Sequence, residues 1–260
     1  RLNLSFMIRF RIPLLLAPIL VGLVISSAWG QPFQSALSKL DQNYYYPQKQ
    51  GLKSLSVRVQ WEQLDVASSS GKFLRNPDFI FSWKHSSVDG LGNFRLAKGQ
   101  DEGRFQELVQ QIKSYRELIV PLFLKQKFAD FKDQVRKLKG DKLMIELNPI
   151  VDSGQNYKLL VDSKEWVIRK VKFQQTSSPE NVQGEMSYLR LEGKFAISES
   201  RSSFKVRGQE YFEVTRYKYK KIEGVWMVSR IDQTLKQDGY VLQTHVFKFS
   251  DFQMVLSPTH

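Results

Sequence analysis

The chain has 260 residues, with 39 Lys or Arg against 26 Asp or Glu, a formal net charge of +13, and no cysteine. This length is enough for one large domain or two small ones with a real core. The missing cysteine excludes disulfides and excludes lipidation of the protein's own N-terminal cysteine. The positive charge favours anionic surfaces or acidic partners.

Residues 1–30 have the pattern of a secretory signal peptide. Arginines without any acidic residue are followed by an uncharged apolar run over 12–25, and small residues precede Gln31. The run of about 14 residues is shorter than the roughly 20 that a membrane-spanning helix needs, which favours cleavage between Gly30 and Gln31 over an uncleaved anchor. Because an exported eukaryotic domain of this size would often carry disulfides, their absence favours a bacterial periplasm. A periplasmic protein rarely meets nucleic acid, so nucleic acid is not among the predicted partners.

The first elements of the expected mature chain change from a helical to a strand pattern. Apolar residues at helical spacing predict a helix over 33–46, and Pro47 ends it. A strict alternation over 55–61 predicts a half-buried strand, and 79–83 repeats that pattern after a turn containing Asn-Pro-Asp.

Residues 104–138 are predicted to form a helical insertion. Apolar residues over 105–122 fall at steps of three and four, and a stripe over 128–138 continues them. Pro121 should break or kink this stripe, which gives two amphipathic helices or one bent helix.

From residue 141 onward the apolar pattern returns to period two, with turn signals such as Glu223-Gly224 and Asp238-Gly239. At least nine strands with one helical insertion predict a mainly β member of the α+β class. We expect a large curved antiparallel sheet, an open half-barrel, covered by a few amphipathic helices, with 31–260 as a single domain. A sheet of this kind buries one face, so the predicted helices must cover it, and a cavity between the two layers could take apolar ligands.

The sequence shows no motif for metal, nucleotide or cofactor binding. The histidines His85, His245 and His260 have no metal-ligand spacing to one another, and no cysteine could complete a zinc site. No nucleophile elbow, phosphate loop or dinucleotide fingerprint occurs. We therefore predict no metal, no cofactor and no catalytic residue.

One string resembles a catalytic turn. Residues 150–154, Ile-Val-Asp-Ser-Gly, are similar to the turn of aspartic proteases, which need two carboxylates that share a proton. The second Asp-Ser pair, at Asp162, is followed by a lysine that spoils the match. Asp-Ser-Gly is also common in hairpin turns. A hydrolase that uses Asp152 is therefore kept as a lesser alternative.

The order of short motifs resembles a known family. A helix with ALSKL at 36–40 precedes a strand that ends in WEQL at 61–64, and GKFLRNPDFIFSW follows at 71–83. The segment 71–83 is similar to a strand with a basic residue, a proline, aromatic residues and a tryptophan in the periplasmic lipoprotein carriers of the Lol system. The segment YKYKKIEGVW at 217–226 resembles a hairpin of outer-membrane lipoprotein-sorting proteins. The resemblance implies an incomplete β-barrel closed by helices, a hydrophobic cavity for lipoprotein acyl chains, and no cofactor or chemistry.

The leading hypothesis is a non-enzymatic periplasmic carrier of lipid or lipoprotein acyl chains that meets inner- or outer-membrane components and is a monomer. An envelope scaffold or partner-binding domain with a solid core is the main alternative. The helical stripe would be a mobile cover over the sheet. The residues predicted to line the cavity are Val57, Val59, Trp61, Phe79, Phe81, Ile112, Ile119, Ile145 and Leu159.

Overall fold

The structure of the chain, a computed structural model, describes residues 31–64, 71–87, 90–97, 105–151 and 153–257. The predicted signal peptide, 1–30, and the candidate catalytic Asp152 lie outside these residues. In the part that the structure describes, no helix combines the length and the apolar character that crossing a membrane would require.

Short helices and long strands make up the described chain. The helical elements are α1 (Gln31–Asn43), a 3-10 turn (Pro47–Gln50), α2 (Gln106–Ile112), a second 3-10 turn (Lys113–Tyr115), α3 (Arg116–Ile119) and α4 (Leu124–Lys127). The strands are β1 (Leu52–Leu64), β2 (Phe73–Arg75), β3 (Phe79–Lys84), β4 (Asn93–Leu96), β5 (Phe131–Lys137), β6 (Lys142–Pro149), β7 (Asn156–Asp162), β8 (Val167–Gln174), β9 (Asn181–Leu191), β10 (Lys194–Val206), β11 (Gln209–Ile222), β12 (Val225–Gln237) and β13 (Tyr240–Leu256).

All thirteen described strands belong to one open antiparallel sheet. From β5 to β13 each strand pairs with the next in sequence, and β13 then pairs with β1, which continues to β3 and the edge strand β4. The short β2 extends the sheet beside the end of β1. This architecture confirms the predicted fold class of a large antiparallel sheet, mainly β, with few helices.

The predicted turns at Glu223-Gly224 and Asp238-Gly239 join long hairpins. Both residues of each turn have positive φ, 47° and 86° in the first and 50° and 83° in the second. Two-residue turns with both residues left-handed match the twist of the flanking strands, and glycine supplies the second position without steric cost. These turns fix the register in which inner-face residues of β11, β12 and β13 line up.

The helical prediction for 104–138 was wrong in its last third. Helices end at Lys127, and Phe131–Lys137 form the edge strand β5, which pairs with β6. Phe131 and Val135 lie four residues apart, a spacing that fits one turn of helix and also two steps of a strand. Half-buried and exposed residues alternate along β5, which is the two-residue period of a strand.

The helices lie on one face of the sheet, here called the inner face. Residues 105–128, here called the strap, lead from the edge strand β4 to the opposite edge strand β5. The first two thirds of the strap, 105–120, pack on a cluster from β1, β3, β4, β12 and β13, here called the first cluster. Helices α1 and α4 pack on the second cluster, which comes from β5 to β8.

The outer face of the sheet carries charged residues. Lys170 and Glu185 pair across β8 and β9, and Arg216 pairs with Glu199 across β11 and β10. Such exposed pairs contribute about 0–1 kcal/mol each.

Candidate functional site

The nine predicted residues divide between the two covered clusters. Seven of them belong to the first cluster, and Ile145 with Leu159 belongs to the second. Each of the nine side chains is at most 1% exposed. In this conformation the strap residues Ile112 and Ile119 fill the space above the sheet positions that were predicted to face a ligand.

Between the two clusters, a row of cross-strand partners runs over the inner face. Partners in neighbouring antiparallel strands point to the same side, so the row can be followed from β5 to β13. It begins and ends with ordinary apolar or amide side chains, but its middle is small and polar. In order, the row contains Val135, Ile145, Leu159, Val171, Gly184, Ser202, Glu213, Leu235 and Gln243.

The neighbouring row, toward the strap, is also polar. It contains Met186, Ser200, Thr215, Gln233 and His245. Most of these side chains keep partial exposure, as do Ser202 and Glu213, whereas the core residues of the flanking clusters are buried. We call Gly184, Ser200, Ser202, Glu213, Thr215 and Gln233 the polar strip.

Gly184 leaves a notch in the polar strip. A Cβ built at this position would meet, as its nearest atoms, the backbone oxygens of Arg201 at 3.8 Å and Val171 at 3.9 Å. Those are ordinary van der Waals distances to the sheet itself. No side-chain atom of a described residue is among these nearest contacts, so there is room above Gly184, next to Ser202.

The strap is tied to the polar strip through Tyr115. The hydroxyl of Tyr115 donates a hydrogen bond to Oε1 of Gln233 at 2.5 Å. Its ring packs on Phe247, with centroids 4.4 Å apart. The amide of Gln48 anchors the strap further along by donating to the carbonyl oxygen of Pro121 at 2.7 Å.

Two titratable groups on the inner face have shifted pKa values. Burial raises the pKa of Glu213 to about 7, partly offset by a hydrogen bond from Gln233. Burial lowers the pKa of His245 to about 4. His245 is 7% exposed, and its Nδ1 accepts a hydrogen bond from the indole nitrogen of Trp61 at 3.0 Å, so the ring is held neutral.

The cover over the second cluster is held by a buried carboxylate. Asp41, 6% exposed, accepts hydrogen bonds from the backbone nitrogens of Leu124 at 2.8 Å and Lys125 at 3.1 Å, which caps α4. The Tyr46 hydroxyl donates to the same carboxylate at 2.6 Å. Burial and the neighbouring Asp41 charge raise the pKa of Tyr46 well above its ordinary value.

Sequence reasoning missed the polar strip. The strip is carried by strands that the alternation had located, but its residues are neither large nor apolar. An isolated glycine inside a strand indicates a close approach or a missing side-chain volume. Gly184 was therefore one signal in the sequence that could have indicated the strip. A second signal was the presence of Glu213 and Gln233 at inner-face positions of strands with a two-residue period.

Two further features of the described residues concern ligand binding: metal-binding groups and surface grooves. No group of three or more His, Asp or Glu side chains in the described ranges is placed to hold a metal ion. A groove of about 360 Å³ at the β8–β9 and β10–β11 turns is lined mostly by polar residues such as Glu180, Lys205 and Glu210. None of the nine predicted residues lines it.

Comparison with known proteins gives similarity at the level of structure. No family model and no curated protein matches the sequence. A LolA superfamily protein from Nitrosomonas europaea is 14% identical, with a TM-score of 0.33 and 86% of this chain and 94% of that chain covered. A DUF1329 family protein from Desulfovibrio piger is 11% identical, with a TM-score of 0.37 and coverages of 86% and 93%. An outer membrane lipoprotein-sorting protein domain from Vibrio parahaemolyticus, described as putative, is 9% identical, with a TM-score of 0.31 and coverages of 85% and 91%. The first and third carry the family descriptions that the sequence motifs suggested.

Proposed function

We propose that the protein is a non-enzymatic periplasmic binding protein that carries lipid or lipoprotein acyl chains on the inner face of its sheet. In this proposal the first cluster is the floor of the ligand site and strap residues 105–120 are its movable cover. The residues predicted from the sequence, Val57, Val59, Trp61, Phe79 and Phe81 among them, would then contact the acyl chain once the cover opens.

The observation that carries this proposal is the construction of the strap. Its helices α2 and α3 have seven and four residues, and the aromatic residues Phe105 and Tyr115 at their N-cap positions do not cap them. Helices of this length are marginal by themselves and depend on packing. Segments that open for ligands are drawn from such low-stability elements.

Opening the strap would uncover a continuous apolar surface. Trp61 packs on Phe79 and Phe247, with ring centroids 6.2 Å and 5.6 Å apart. An acyl chain on this surface would take the place of Ile112 and Ile119 and would gain about 0.8 kcal/mol for each buried CH₂ group. The free energy of binding is that gain minus the free energy of lifting the strap.

The proposal is tested by locking the strap to the sheet. Because the chain has no cysteine, the double variant Tyr115→Cys with Gln233→Cys can be joined selectively by a short bis-maleimide. We expect the linked protein to bind a fluorescent acyl-chain probe at least tenfold more weakly than the same double variant with each thiol capped separately. Equal binding before and after linking would contradict a strap that opens, and absence of any acyl binding by the wild type would contradict the carrier.

A second candidate function follows from the burial of the nine residues. Side chains that are at most 1% exposed contact no water-sized space, which favours an envelope scaffold or partner-binding domain with a solid core. This alternative predicts that lipid extracts of the protein purified from its native compartment contain no stoichiometric lipid. It also predicts that amides of 106–119 exchange with solvent as slowly as those of β1 and β13.

A further inference from the structure

The notch at Gly184 lies between two apolar surfaces and is itself polar. Val171 of the second cluster is its partner on one side, and Ser202 followed by Glu213 continues the row on the other. An acyl chain over the first cluster that reaches this row would therefore end beside hydroxyl, amide and carboxyl groups. A buried polar group without a hydrogen-bonding partner is costly, so such a surface suits an amphipathic ligand better than a purely apolar one.

The charge of the strip differs from that of the whole protein. The chain has 39 basic and 26 acidic residues, yet the two inner-face rows that cross β8 to β13 contain the carboxyl group of Glu213 and no Lys or Arg. Lys170 and Arg216 of these strands form ion pairs with Glu185 and Glu199 on the outer face. The strip thus offers hydrogen-bond acceptors and one acidic group, without a cation that would attract a carboxylate or a phosphate.

Resting on the proposed acyl-chain function, we propose that the notch formed by Gly184, Ser202 and Glu213 binds the polar end of the ligand, and that this end carries an amine. The ammonium group would donate to the Glu213 carboxylate and to the Ser202 hydroxyl. Gly184 contributes by leaving the volume that the head group occupies. The hydrogen bond from Tyr115 to Gln233 places the middle of the strap next to Glu213.

Solvation of the carboxyl group agrees with this assignment. Burial raises the pKa of Glu213 to about 7, so above that pH the carboxylate is charged in a poorly hydrated place. An ammonium group would compensate for the lost hydration, and a charge-assisted hydrogen bond is about twice as strong as a neutral one. A ligand carboxylate would instead be repelled.

The test compares two probes of equal chain length, dodecylamine and dodecanoate, by displacement of a neutral naphthylamine dye at about pH 8. At this pH the amine is cationic, the fatty acid is anionic and Glu213 is mostly ionised. We expect dodecylamine to displace the dye from the full chain at about tenfold lower concentration, which corresponds to one charge-assisted hydrogen bond. Glu213→Gln should reduce this preference to about twofold or less.

Two further variants separate binding from folding. Glu185→Gln is the matched control, because Glu185 adjoins Gly184 in sequence but lies on the outer face with Lys170, and it should keep the full preference. Gly184→Val should fill the notch and weaken dodecylamine binding about tenfold. Its thermal unfolding should stay at or above that of the wild type, since the Cβ position is unobstructed and valine suits a strand.

Each outcome decides one of the two proposals. If both probes displace the dye with equal strength, or if Glu213→Gln keeps the preference for the amine, the acyl site stands and the amine subsite is wrong. If neither probe displaces the dye from the wild type, the proposed carrier function fails and the subsite fails with it.

Discussion

The two covers on the inner face are built differently, although both bury apolar residues of one sheet. The cover over the second cluster includes α1, a helix of 13 residues, and is joined by polar contacts to strands far away in sequence. Asn43 donates to the carbonyl oxygen of Glu165 at 3.1 Å, and Lys194 donates to that of Gln42 at 2.8 Å. The cover over the first cluster consists of the short pieces α2, a 3-10 turn and α3.

This difference predicts that the cover over the second cluster is the more firmly fixed of the two. Where a cover is fastened by buried hydrogen bonds, lifting it leaves several polar groups unpaired, and each costs about 1–3 kcal/mol. Where the cover is held mainly by apolar packing, a ligand of the same character can replace it. Sites for apolar ligands are therefore expected beneath the strap, over the first cluster, and not beneath α1.

The largest expected effect is the loss of the fixed cover. Asp41→Ala removes the acceptor for Leu124, Lys125 and the Tyr46 hydroxyl. We expect the free energy of unfolding, measured by urea denaturation, to fall by about 3 kcal/mol, because several donors are left buried without a partner. The exposed Asp130 provides the control, since Asp130→Ala should change stability by less than about 0.5 kcal/mol. A loss below about 1 kcal/mol for Asp41→Ala would mean that α1 and α4 are not fastened through this carboxylate.

The next effect concerns Glu213 of the polar strip and His245 beside it, whose shifted pKa values change stability in opposite directions as the pH changes. His245 has a folded-state pKa of about 4, below its ordinary 6.5, so its contribution to stability is lost as the pH falls from about 6.5 to 4. Glu213 has a folded-state pKa of about 7, above its ordinary 4.5, so its contribution is present at low pH and is lost as the pH rises from about 4.5 to 7. Between pH 4.5 and 6.5 the two groups largely compensate each other.

Substituting either Glu213 or His245 should reveal the effect of the other group on the pH dependence of stability. In Glu213→Gln the free energy of unfolding should fall by about 2 kcal/mol more than in the wild type between pH 6.5 and 4.5, because burial disfavours the protonated His245 ring and no Glu213 carboxyl group compensates. In His245→Gln, stability should instead rise relative to the wild type as the pH falls through the same window. Urea denaturation at several pH values measures both differences, and parallel curves for all three proteins would show that neither group is held in a buried, shifted state.

The strands could be predicted from the sequence where the two-residue alternation of apolar and polar side chains is clear. Alternation along 55–61 and 79–83 located β1 and β3, and the turn residues at Glu223-Gly224 located a hairpin, because these signals are local. The edge strand β5 was missed because its spacing of four residues between Phe131 and Val135 fits both periods, and the pairing with β6 decides between them. The polar strip was missed because it is a row across strands that are far apart in sequence, which no local pattern reveals.

The smallest effect tests the mobility of the strap directly. Tyr115→Phe removes the hydroxyl that donates to Gln233 but keeps the ring packed on Phe247. The lost hydrogen bond should cost about 1 kcal/mol, and if the strap opens by itself, amide hydrogen exchange over 106–119 should become about fivefold faster while exchange in β1 and β13 stays unchanged.

The matched control for this variant is Tyr44→Phe in the fixed cover. The Tyr44 hydroxyl accepts from the backbone nitrogen of Ile168 at 2.7 Å and lies 3.1 Å from the Tyr188 hydroxyl. Its removal should lower global stability by a similar amount without speeding exchange in the strap, because α1 does not open separately from the sheet. If Tyr115→Phe instead raises exchange equally in the strap and in β1 and β13, the strap unfolds only together with the sheet. The two covers would then be equivalent in dynamics despite their different construction, and a solid core would be the better description of the molecule.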